Sequence, residues 1–153
     1  MAHAAVLSMR REAARAKRRR DDMWVASTAM LAALVALPLA QSAWQGPEVA
    51  AVLAVAATAL FAGQRWAIAV IVIAQLMLVP TVLPRAFFAS DDLVPRVAAL
   101  VALIASVPGM LSMRRAAAAL VVVTGQRRTQ RVCRRFHAAL VAIGVVGVVL
   151  PLI

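Results

Sequence analysis

The chain has 153 residues, 64% of them apolar, with a mean hydropathy of +0.88 and a net charge of +11. Soluble domains run near half apolar and a quarter charged. Here 15% is charged, in bunches, which excludes an ordinary water-soluble globule; the expected fold class is all-α, a polytopic transmembrane helical bundle of four to five spans.

Residues 1–22 form a basic, hydrophilic head that carries Arg10, Arg11, Arg15, Lys17, Arg18, Arg19 and Arg20. Ala, Arg and Glu favour helix, so a short solvated or surface-lying helix is expected there. Asp21 and Asp22 precede the first apolar run, where an N-cap and the helix dipole favour carboxylates. That run, Met23 to Trp44, separates Trp24 from Trp44 by about 30 Å of helix, the thickness of a hydrocarbon core. Tryptophans at both ends fit the aromatic belts of a bilayer. Pro38 is expected to kink the outer end.

Pro47 suits the first turn of a second span, whose apolar stretch is Val49 to Gly63. Gly63-Gln64-Arg65 reads as a tight turn into a third span, Trp66 to Leu83, with Gln75 near its middle and Pro80 and Pro84 flanking its end. A second loop holds Arg85, Phe87, Phe88, Ser90, Asp91 and Asp92, and the fourth span covers roughly Leu93 to Ser112. Pro108-Gly109 should bend or end its last turn. Residues 23–112 thus read as a four-span bundle. Residues 113–137 read as a basic cytoplasmic or interfacial segment, in which Ala116 to Val123 is either interfacial or a broken continuation of the fourth helix. Residues 138–153 read as a short last span of marginal length, with Gly144 and Gly147 offering a small-residue face.

Lys and Arg in short flanks set orientation. With the N-terminus in the cytoplasm and five spans, only Arg85 and Arg96 fall outside. The expected location is a bacterial-type plasma (inner) membrane, with the mitochondrial inner membrane as the lesser alternative. Ala40-Gln41-Ser42 resembles a cleavage site after a signal peptide, but the long basic head argues against cleavage.

The candidate sites are few. In the segment Gln126 to His137, Arg127, Arg128, Arg131, Arg134 and Arg135 fall within an arc of about 120° on a helix, opposite Val132, Cys133 and Phe136. Such an interfacial amphipathic helix holds anionic lipid head groups at about 1 kcal/mol per charge, grips an acidic partner, or only anchors topology. Arg18, Arg19 and Arg20 of the head read the same way. Nucleic acid is disfavoured, because no aromatic is interleaved and no DNA-binding motif follows. Gln75 is the mid-span amide, expected to make an interhelical hydrogen bond with Ser27, Thr28, Thr58 or Ser106, unless those hydroxyls bond their own backbone carbonyls. Asp91 and Asp92 are an outer acidic pair suited to capping the fourth span, and Phe87 and Phe88 suit the interface. Cys133 is a lone juxtamembrane cysteine of the kind that can be palmitoylated.

No catalytic constellation, metal-ligand spacing or cofactor motif is found. The leading expectation is a non-enzymatic accessory, assembly or anchoring subunit that contacts anionic lipid, a membrane-protein partner or a second copy of itself. A small oligomeric transporter with a path near Gln75 is the alternative, and an enzyme acting on lipid-like substrates through Asp91 and Asp92 is the third reading.

Overall fold

The computed structural model describes residues 2–39, 46–88 and 93–150, which form six helices and, among the described residues, no strand. In chain order these are α1 (Ala2–Leu39), α2 (Gly46–Phe61), α3 (Ala67–Phe87), α4 (Leu93–Leu111), α5 (Met113–Val123) and α6 (Gln130–Val149). Three of them, α3, α4 and α6, are long and apolar enough to cross a membrane; α2 is apolar but shorter. Trp44, Ser90, Asp91 and Asp92 lie outside the described residues, and so do the expected cleavage motif at 40–42 and the expected cap of the fourth span.

Helices α1 and α3 each pack against both α2 and α4, so the four form a ring with α1 and α3 on its diagonal. The ends of α2 and α4 both lie beside Asp22 to Val25 of α1, so α2 and α4 run antiparallel to α1. Between α2 and α3 the chain reverses at Gly63, whose φ of +86° is a left-handed conformation natural to glycine. At the far end of the bundle, Arg96 Nε donates to the Ala86 carbonyl at 3.3 Å and ties the start of α4 to the end of α3.

The interior is unusual for its small side chains. Most of the buried hydrophobic residues are alanines, among them Ala26, Ala29, Ala33, Ala57, Ala99 and Ala102. Large aliphatic side chains point outward instead: Leu34 on α1, Val55 on α2, Met77 on α3, Ile104 on α4 and Ile143 on α6 are all more than half exposed. This inverts the pattern of a soluble core. It suits a hydrocarbon solvent, in which burying leucine gains nothing but close backbone approach gains dispersion contacts.

Two helices extend the ring on the side of α3. Helix α5 continues α4 after a one-residue break at Ser112, so Ala116 to Val123 is a broken continuation of the fourth helix. Pro108 lacks the N–H that would bond Ile104, and Ser112 bridges the break: its N–H bonds the Gly109 carbonyl at 2.9 Å and its Oγ bonds the Pro108 carbonyl at 3.0 Å. Ala116, Ala117 and Val121 of α5 are buried, and the two alanines cluster with Ala69 and Val72 of α3 and Leu140 of α6. Helix α6 runs parallel to α3, because Gly144 sits against Leu76 and Gly147 against Pro80.

Pro80 and Pro84 lie inside α3 rather than flanking its end. Proline frees the carbonyl four residues back, here that of Leu76, and Gly147 packs beside that oxygen. A Cβ at 147 would meet Leu76 O at 3.6 Å and the Pro80 ring at 3.1 Å, so the glycine leaves room for the proline ring where α6 meets α3. As a result α3 is the central helix, touching α2, α4, α5 and α6, while only 6% of the apolar window of α6 is buried.

Inserting volume into the alanine seam should cost more than deleting it from the surface. Ala57→Leu is expected to destabilise the detergent-solubilised protein by about 1–3 kcal/mol, through overpacking. Val55→Ala, two residues away on the exposed face, is expected to cost less than about 0.5 kcal/mol. Denaturant titration followed by circular dichroism checks both.

Candidate functional site: the basic end of the bundle

Helix α1 begins at Ala2 and runs unbroken to Leu39, so the basic head and the first apolar run are one rod. Asp21 and Asp22 therefore sit inside a helix, not at its N-cap. The carboxylate of Asp22 instead accepts a hydrogen bond from Arg115 Nη2 of α5, an ion pair that ties the head helix to the α4–α5 break. With side chains 28% and 38% exposed, this pair contributes at most about 1 kcal/mol. Its value is positional: it fixes which face of the head looks at the bundle.

That face carries charge. Arg11, Arg15, Arg18, Arg19 and Asp22 follow the spacing i, i+4, i+7, i+8, i+11, which aligns them on one side of a helix. They line a cleft of about 570 Å³ whose opposite wall is the α2–α3 turn, Ala62, Gly63 and Arg65. Its remaining wall is apolar, from Met23, Leu60 and Phe61. A second cleft of about 650 Å³ opens between Arg20 to Ser27 of α1 and Pro108 to Arg115. Trp24 and Trp66, both exposed, stand at this same end. Phe87 and Phe88, also exposed, stand at the other end of α3, about 32 Å from Trp66 along the helix.

The expected arc of five arginines before the last span is only partly realised. Helix α5 ends at Val123, the chain turns at Gly125 (φ +67°), residues 126–129 are not helical, and α6 starts at Gln130 with Thr129 accepting from the N–H of Val132 at 3.4 Å. Arg127 and Arg128 therefore lie in the irregular connection between α5 and α6, and Arg131, Arg134 and Arg135 alone share the helix. All five are exposed. Arg18 and Arg19 fall in the first cleft and Arg20 in the second. Arg11, Arg15 and Arg65 were not singled out from sequence as site residues. The helical spacing of the first two was legible, but only the chain reversal at Gly63 brings Arg65 to them.

Gln75 is fully buried, and neither Oε1 nor Nε2 has a hydrogen-bond partner among the described residues. The expected interhelical hydrogen bond is therefore not made. The hydroxyls of Thr28, Thr58 and Ser106 bond carbonyls of their own helices instead, Ser106 to Ala102 at 2.8 Å. What faces Gln75 is Gly109 of α4: a Cβ there would lie 1.7 Å from Oε1. The amide packs against the bare backbone of Gly109. Neither cleft reaches it. Among the described residues no three His, Cys, Asp or Glu side chains gather as metal ligands would.

Gly109→Ala is expected to destabilise the fold by about 1–3 kcal/mol through overpacking, and Gln75→Ala in the same chain is expected to recover most of the loss. Gln75→Met keeps the shape and removes the orphaned amide, so it should leave stability unchanged or raise it by about 1 kcal/mol. Detergent unfolding midpoints of the four proteins check this. No protein-family model matches the sequence, and no curated protein or solved structure matches it, so the geometry of this end carries the functional reading.

Proposed function

We propose that the chain is a small multi-pass inner-membrane protein that acts without catalysing a reaction, as an accessory, assembly or anchoring subunit. Its arginine-rich cytoplasmic face contacts anionic lipid head groups or a membrane-protein partner. Five segments cross: the apolar part of α1, then α2, α3, α4 and α6. The first two join the helices that meet the length requirement because both pack along α4 or α3 in one ring.

The observation that carries this reading is convergence. Arg15, Arg18, Arg19, Arg65 and Arg115 come from three separate stretches of chain and meet at one end of the alanine-seamed bundle. The exposed aromatics at the two ends of α3 bracket a band of bilayer thickness. By the positive-inside rule the arginine end faces the cytoplasm. The transporter reading draws nothing from Gln75, which is sealed between α3 and α4, and Asp91 and Asp92 lie outside the described residues.

Mild-detergent purification followed by mass spectrometry of lipids and proteins tests the proposal. The expected result is enrichment of anionic lipid over the bulk membrane, together with a membrane-protein partner or a homo-oligomer. Enrichment should weaken with rising salt, since exposed charges are screened. A protein that stays monodisperse in buffer without detergent, or an N-terminal reporter found outside the cell, would contradict it.

A further inference from the structure

The cleft between the head helix and the α2–α3 turn differs from a general basic surface in three ways. It is concave, about 570 Å³, large enough for more than one phosphate group. It gathers five guanidinium groups, from Arg11, Arg15, Arg18, Arg19 and Arg65, against a single carboxylate, Asp22. That carboxylate is already engaged by Arg115 from the other side of α1, and none of the five arginines forms an ion pair among the described residues. The local excess of positive charge is thus built into the fold.

The wall chemistry says what fills it. Met23, Leu60 and Phe61 make the side nearest the bundle apolar, at the level of the exposed Trp24 and Trp66 that mark the interface. A ligand that matches both walls carries concentrated anionic oxygen at one end and hydrocarbon at the other. Planar, forked guanidinium groups take phosphate oxygens in pairs, which a single ammonium does not. A nucleic acid matches the arginines but has no use for the apolar wall, and it would have to approach within the headgroup layer.

We infer that this cleft is a binding site for a phospholipid whose head group carries two phosphates, seated on Arg15, Arg18, Arg19 and Arg65 with its acyl chains along Leu60 and Phe61. The inference rests on the proposed contact with anionic lipid and makes one part of that surface selective. A head group held there bridges α1 to the α2–α3 turn and locks the head helix against the bundle.

The test is native mass spectrometry of the purified full chain titrated with diphosphatidylglycerol, phosphatidylglycerol, phosphatidylcholine or soluble pyrophosphate. Wild type should prefer diphosphatidylglycerol over phosphatidylglycerol by tenfold or more. The triple variant Arg15→Gln/Arg18→Gln/Arg65→Gln should lose that preference, while Arg127→Gln/Arg128→Gln/Arg131→Gln, with the same charge change elsewhere, should weaken binding less than twofold. Equal losses in the two triple variants would overturn the cleft and leave the broader lipid contact standing. No preference of wild type for any anionic lipid over phosphatidylcholine would overturn both. Pyrophosphate binding as tightly as diphosphatidylglycerol would overturn the assignment to lipid. Unchanged helicity of each variant by circular dichroism secures the comparison.

Discussion

The structure depends on how closely its helices approach one another. In hydrocarbon no apolar side chain is driven inward, so helices associate through dispersion contacts that fall away steeply with distance. Alanine on the facing sides of α1, α2, α3 and α4 lets four backbones come together without interlocking bulky groups. Glycine does the same at Gly109 against Gln75 and at Gly144 and Gly147 against α3. The large aliphatic residues are then free for the outside, where they match lipid. A water-soluble helical bundle of this length would have these two sets exchanged.

From that packing follows the placement of polar chemistry. Around the prolines the backbone is accommodated within the bundle: Gly147 packs beside the Leu76 carbonyl that Pro80 frees, and Ser112 bonds the Gly109 and Pro108 carbonyls at the break that follows Pro108. The charged groups are left for the ends. At the arginine end, the unbroken α1 projects beyond the apolar band and overhangs the α2–α3 turn, and the Asp22–Arg115 pair sets its rotation. A rod held at that angle turns a run of sequence neighbours into one wall of a cleft. The head is thus part of the architecture of the basic face.

Much of the fold was legible in sequence because hydrocarbon imposes simple demands: runs of length, aromatics near the ends, arginine in the flanks. The helix pairs, the turn at Gly63 and the weakness at Pro108-Gly109 all follow from those rules and from local backbone chemistry. What was not legible depends on contacts between distant residues. Asp22 reads as a cap until Arg115 arrives from α5, and Pro80 reads as a terminator until Gly147 covers the carbonyl it frees. Gln75 reads as a hydrogen-bonding group, yet it packs against a glycine backbone. Arg127 and Arg128 fit a helical arc on paper, but Thr129 starts the helix after them. The candidate cleft was the least legible feature of all, since its walls are residues 11–23 and 60–65, far apart in the chain.

The central claim is that the exposed aliphatic surface is a lipid-facing surface, and solvent accessibility in intact membranes tests it most directly. With Cys133 replaced by serine, single cysteines would be introduced at Met77 and Ile104, which are 60% and 69% exposed on the protein surface, and at Gln64 in the turn beside the cleft. The account predicts that a water-soluble maleimide labels position 64 rapidly and positions 77 and 104 only after the membrane is dissolved in denaturant. Equal labelling of all three in intact membranes would mean that water, not hydrocarbon, covers those side chains, and would contradict it.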